Sequence, residues 1–222
     1  RQLAKKTLKN PKQISFAVSQ PAEGVLQGAY LIEDNQKLPL LKDKLEGRRD
    51  KEGQIIIFAS TKSKVKDITR SLQSSGLNAD QMHSDFDQAH REEVIRKFRN
   101  KSLQILVATD ILSRGIDVKG IDLVVNYDVP PDPEDYIHRI GRTARAGREG
   151  IAITLVNRKD GRKFKAIEKL MQKEVRKMQL PKHLSGRTEE MSSSRSGGRR
   201  GGGSSRRRSD GKARGSSGGR RR

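Results

Sequence analysis

Three side chains in the second half of the chain have the types and spacing to do chemistry. His138, Arg142 and Arg145 fall at i, i+4 and i+7 within residues 136–147, YIHRIGRTARAG. Read as a helix entered through Pro130, Pro131, Asp132 and Pro133 and stopped at Gly147, this stretch carries them on one polar, cationic face. Ile137, Ile140 and Ala144 recur at i, i+3 and i+7 on a separate stripe suited to packing on a sheet, and Gly141 lies beside that stripe with no side chain. Two guanidiniums on one rigid element make a fork of donors matched to phosphate oxygens, with a histidine one turn earlier to aim them. A solvated basic helix face has the same spacing, so the pattern alone leaves both readings open.

The elements that must position such a face alternate along the chain. Apolar runs at 55–58, 105–108, 123–127 and 151–156, with a weaker one at 79–83, are separated by amphipathic stretches. Residues 62–75 carry Val65, Ile68 and Leu72, and residues 88–99 carry Val94, Ile95 and Phe98. Segments 14–18 and 25–32, parted by Gln20 and Pro21, read as two strands leading in, and 37–45, with Leu38, Leu41 and Leu45, reads as the first helix. The alternation predicts an α/β domain: a mostly parallel sheet flanked by helices in three layers.

Ligands of such sheets sit beyond the carboxyl ends of the strands. Ser60 and Thr61 follow the run at 55–58; Ser84, Asp85, Gln88 and Arg91 follow 79–83; Thr109, Asp110, Arg114, Gly115 and Asp117 follow 105–108. The arginine stretch follows 123–127, so hydroxyls, arginines, amides and a glycine turn are all expected at one edge. Each has a plainer alternative: Ser60 or Thr61 as a helix cap, Gln88 and Arg91 as helix surface, Asp117 as a turn cap.

Composition narrows the partner. With 48 Lys and Arg against 27 Asp and Glu, the net charge is +21, which favours a polyanion, nucleic acid first. Cysteine is absent, which excludes a disulfide framework and a thiolate metal site. No apolar run is long enough to span a membrane and nothing reads as a signal peptide, so a cytoplasmic protein is expected. Residues 185–222 hold ten Gly, ten Ser and eleven Arg and no aromatic residue, a composition unable to bury a core and expected to be disordered. The chain opens on Arg1 rather than Met and reads as a piece of something longer, with residues 1–12 the remnant of a preceding domain or linker.

The literal motifs sharpen this. HRIGRTARAG at 138–147 closely resembles the last helicase motif of the DEAD-box RNA helicases, HRIGRTGRxG, with Ala144 for the usual glycine. IIIFASTK at 55–62 resembles the first motif of that family's second domain; Gln88 and Arg91 fit its QxxR pair; His83, Ser84 and Asp85 resemble HGD with Ser84 for Gly; and ATDILSRGID at 108–117 resembles ATDxAARGxD. The resemblance implies a RecA-like domain over residues 13–180, closest to a bacterial, RhlE-like branch with basic tails, followed by the tail at 181–222. It also implies Arg142 and Arg145 as arginine fingers on the terminal phosphate of ATP, Gly115 and Asp117 on the nucleotide, and Arg114 and His138 as links to the other domain. Thr61, Gln88, Arg91 and Thr109 would then lie on the RNA backbone.

No GxxxxGK[ST], DEAD tetrad or SAT occurs, so the P-loop and the Mg²⁺ site would belong to an N-terminal RecA-like domain and this chain alone should be inactive. The expected activity of the complete protein is ATP-dependent unwinding or remodelling of RNA without sequence preference; the chain itself holds no metal ligand set. The alternatives are a non-catalytic RNA-binding or annealing module and, weaker because His138 and Ile140 fit the DEAD-box pattern, a DNA translocase. Removing everything after Leu184 is expected to weaken RNA binding at low salt by about tenfold, with the gap closing as salt rises. Unchanged low-salt affinity would remove the tethering role of the tail.

Overall fold

Ile55, Ile56, Ile57 and Phe58 are apolar at every position, so a strand made of them needs cover on both faces. In the computed structural model, which describes residues 24–48, 53–110, 121–144 and 149–185, they lie within β2 (Gln54–Phe58), buried throughout. The other strands are β1 (Val25–Leu31), β3 (Ala79–Met82), β4 (Ile105–Ala108), β5 (Ile121–Asn126), β6 (Gly150–Val156) and the two-residue β7 (Arg176–Lys177). They form one sheet in the order β3-β4-β2-β5-β6-β1-β7, and every pairing is parallel. The expected strand at 14–18, the remnant at 1–12 and the tail from residue 186 lie outside the described residues.

The period of two along β2 sorts the core. Ile56 and Phe58 pack with Met82, Leu106, Val124 and Ala152 on one face, against Val94 and Phe98 of α3 (Gln88–Arg99), Tyr136, Ile137 and Ile140 of α4 (Pro133–Ile140), and Phe164, Ile167 and Met171 of α5 (Gly161–Met171). Ile55 and Ile57 point the other way, with Ile105, Val107, Leu123 and Val125, against Leu40, Leu41 and Leu45 of α1 (Asp34–Glu46) and Val65, Ile68 and Leu72 of α2 (Lys62–Ser74). The result is the three-layer arrangement expected from the alternation, and it agrees with the RecA-like domain that the motif resemblance implies.

Three stretches depart from the sequence expectation. The helix expected over 136–147 starts earlier, at Pro133, where the Asp132 side chain accepts from the Glu134 N–H and proline takes the first turn, and it ends at Ile140. Gly141 caps it, and Thr143 makes a parallel bridge to Ile121 while its hydroxyl donates to the Ile121 carbonyl. Pairing with the start of β5 thus wins over continued helix, so Arg142 is not on the helical face with His138.

Residues 159–179 read from their sequence as one basic amphipathic helix, with Phe164, Ile167, Leu170 and Met171 on one side, but the helix stops at Met171. Gln172 adopts a left-handed φ of 51°, Glu168 accepts from the Val175 N–H, and the chain then pairs as β7 beside β1. Beyond it a one-turn helix, α6 (Lys182–Ser185), brings the Leu184 carbonyl to the Gln36 side chain at 3.0 Å, so contacts with the domain continue past residue 180.

The turn after α4 depends on one glycine. A Cβ at Gly150 would meet the Ala144 amide nitrogen at 2.5 Å and the Thr143 side chain closer still. Ala144 itself sits at φ 51°, the left-handed region that a Cβ disfavours. Gly150→Ala is expected to destabilise the protein by about 2 kcal/mol through this overlap, and Ala144→Gly to stabilise it by about 1 kcal/mol. Urea unfolding of both variants checks the opposite signs, and a neutral Gly150→Ala would contradict the packing described.

Candidate functional site

Parallel strands gather their exits at one edge, and three of the sequence motifs leave neighbouring strands there. Thr61 follows β2, Gln88 and Arg91 follow β3, and Thr109 follows β4; in the sheet these strands run β3-β4-β2. Thr61 is exposed and is the N-cap of α2, its hydroxyl accepting from the Lys64 N–H at 3.3 Å. The cap and a ligand contact are compatible, because a hydroxyl retains its own proton to donate. Gln88 is exposed and donates to Glu92 at 2.8 Å. Arg91 donates to the Ser84 carbonyl at 3.3 Å, while its Nε is buried with no partner. Thr109 is half-buried, with its N–H on the Met82 carbonyl.

Beside them stand groups that set the local charge. Asp85 takes Lys62 at 3.0 Å and Lys66 at 3.2 Å, and these two hydrogen bonds hold its carboxyl below the usual carboxylate range. His83 is buried and stacked on Phe86, which stacks in turn on His90; burial, with Lys66 nearby, lowers its pKa.

The described part of the arginine motif, through Ala144, does not stay at that edge. His138 is exposed in the last turn of α4, with Asp135 at 4.0 Å. Arg142 is half-buried and precedes the Thr143 bridge to Ile121, the first residue of β5, so it lies toward the amino ends of the strands. The length of β5, roughly 20 Å at 3.3 Å per residue, separates it from the exits. The single edge expected for all four motifs is therefore two regions, because α4 runs back along the sheet before the motif finishes. Arg114, Gly115, Asp117 and Arg145 lie outside the described residues.

One residue that spacing alone passes over joins the two regions. Arg139 is 3% exposed and its guanidinium lies 5.1 Å from the Phe58 ring centroid. It grips both Asp110 oxygens at 2.5 and 2.6 Å, and its remaining edge donates to Asn126 at 3.0 Å and to the Asp128 carbonyl at 2.8 Å. The signal was present: a charged residue between Ile137 and Ile140, on the apolar stripe of a helix, demands a buried acceptor.

The next link is Asp128, also buried. Its carboxylate takes the Ser60 N–H and hydroxyl at 2.9 and 2.8 Å, Lys64 at 2.8 Å and Lys37 at 3.3 Å. Burial alone would raise its pKa, but Lys64, Ser60 and Lys37 outweigh that and hold it at about 2. Tyr127 beside it is pushed up to about 12 by burial and by the Asp128 charge. Lys37 is 1% exposed and also meets Asp34 at 3.1 Å. Among the described residues no group of three or more His, Cys, Asp or Glu is gathered that could hold a metal ion, and no helix is long and apolar enough to cross a membrane.

Comparison with known proteins fits this geometry to a family. The model of the helicase conserved C-terminal domain matches residues 36–147. The DEAD-box ATP-dependent RNA helicase CshA of Bacillus cereus is 35% identical over 182 residues, covering 82% of this chain and 34% of its own length, so the chain spans about a third of that relative. Among solved structures, Saccharomyces cerevisiae Dbp5 bound to RNA and ADP BeF3 superposes with a TM-score of 0.70 at 32% identity, over 80% of this chain and 47% of that one. The C-terminal domain of the DEAD-box protein Dbp5, solved by itself, gives 0.64 at 34% identity, over 70% of this chain and 90% of that one. With the family model matched over half of the chain and a DEAD-box C-terminal domain covered over 90% of its length at 34% identity, the chain belongs to the DEAD-box RNA helicases as their helicase C-terminal domain.

Proposed function

We propose that the chain is the second RecA-like domain of an ATP-dependent RNA helicase, coupling ATP binding and hydrolysis to local unwinding or remodelling of RNA duplexes. The observation that carries this is the adjacency of three strand exits: Thr61, Gln88 with Arg91, and Thr109 follow β2, β3 and β4, neighbours in the order β3-β4-β2. Hydroxyls, an amide and a guanidinium in a row suit a sugar-phosphate backbone and reach no base edge, so the RNA is held without sequence preference. The Dbp5 structure with RNA and ADP BeF3, alike in fold, supports the same class of ligand.

The second region is given to nucleotide. Arg142 with Arg145 neutralises charge building on the terminal phosphate, Gly115 and Asp117 hold the nucleotide, Asp117 by accepting from a ribose hydroxyl, and Arg114 and His138 bridge to the first RecA-like domain of the same protein. The donor set here is cationic and polar, which fits phosphate and leaves Mg²⁺ to the first domain. ATP supplies the phosphoryl bond whose cleavage lets the two domains part. Until the first domain closes on this one, the arginines face no nucleotide, so the chain alone turns nothing over. A cytoplasmic site of action belongs to the same reading.

An arginine finger is worth roughly 10³ to 10⁵ in rate where the rest of the site is assembled. In the complete protein, Arg145→Ala is expected to lower RNA-stimulated ATP turnover by about that factor while RNA binding stays measurable. Turnover at the parent rate would remove the finger assignment.

A further inference from the structure

Asp128 is placed to do more than fill a turn. Its carboxylate, in a side chain 6% exposed, closes on both sides of Thr61: Ser60, the preceding residue, gives it an N–H and a hydroxyl, and Lys64, whose own N–H donates to the Thr61 hydroxyl, gives it an ammonium. Lys37 on α1 supplies a second, fully buried countercharge. The main-chain carbonyl of Asp128 receives Arg139, which grips Asp110, the residue after Thr109. Thr109 and Thr61 are thus ends of one continuous polar chain that runs through Asp110, Arg139, Asp128 and Ser60.

Burying a carboxylate and a lysine is costly compared with filling the same space with apolar groups, so core filling is a poor reason for this arrangement. What the network fixes that apolar packing would not is direction: two oxygens of one carboxylate set the backbone of Ser60 and the first turn of α2 at once. The geometry points to Asp128 as a positioning residue that sets Thr61 against Thr109, and so the spacing at which the β2 and β4 exits grip a single-stranded RNA backbone. The inference rests on the RNA-binding reading of those exits. Asp128 touches no RNA itself; it acts through Ser60 and Thr61.

A double-mutant cycle separates this role from a merely structural one. Affinity of the chain for a single-stranded oligouridylate is measured for the parent, Asp128→Asn, Thr61→Val and the double variant. The salt is set high enough to suppress non-specific binding by residues 186–222. Asp128→Asn is expected to weaken binding about tenfold, as is Thr61→Val, and the double variant to bind no more weakly than Thr61→Val alone. A folded Asp128→Asn with parent affinity and a lowered melting temperature overturns the inference, as do losses that multiply in the double variant.

Should Asp128→Asn not fold, Ser60→Ala keeps the carboxylate and both lysines. It is expected to weaken binding about threefold in the parent and not at all in the Thr61→Val background. Equal effects in both backgrounds overturn the inference. A parent chain that binds no oligouridylate overturns the RNA reading, and the inference with it; a parent that binds, with Thr61→Val weakened and Asp128→Asn not, overturns the inference alone.

Discussion

A guanidinium 3% exposed, gripping a carboxylate at 2.5 and 2.6 Å across 29 residues of sequence, is the interaction on which the working end of this domain depends. A buried Arg139 has nowhere to leave its charge, so α4 can dock in only one rotation, the one that presents its fork to Asp110 and its third nitrogen to Asn126 and the Asp128 carbonyl. Ile137 and Ile140 would tolerate a slide along the apolar face; Arg139 does not. The position of His138 on the outer side of α4, and of Arg142 after the helix end, follows from that rotation.

The parallel sheet then divides the labour. Its carboxyl edge collects Thr61, Gln88, Arg91 and Thr109 after three adjacent strands, while the return of α4 carries Arg142 toward the other end of β5. Under the proposed function the two regions take different ligands, and the Arg139–Asp110 pair touches both: Asp110 adjoins Thr109, and Arg139 lies three residues before Arg142. A network of fully satisfied buried charges is stiff, so displacement at one end is passed on rather than absorbed.

The sequence made much of this legible and misplaced the rest for local reasons. The apolar runs located β2, β4, β5 and β6 because strands buried on both faces leave no ambiguity of period. The end of α4 was not legible: Arg142, Ala144 and Arg145 keep helical spacing, and only the approach of Thr143 to Ile121, far away in sequence, ends the helix. The same holds for β7, where two exposed basic residues pair with β1 only because Gln172 turns the chain back. The motif residues were visible by type, whereas Arg139, Asp128 and Lys37 were hidden by it. A charge reads as surface until its partner is known, and these partners are distant in sequence: Asp110, after β4, for Arg139 and Asp128, after β5, for Lys37.

The central claim is that Arg139 and Asp110 act as one unit holding α4 to the β4 exit. The most direct measurement is the stability of Arg139→Met, Asp110→Leu and the double variant by urea unfolding. Each single change takes the opposite charge of this pair away from a buried or half-buried group and is expected to cost roughly 3 kcal/mol, while the double variant, having removed both charges, is expected to cost no more than the worse single change. Losses that simply add would contradict the account, because they would make the pair two independent contributors rather than the joint on which the site turns.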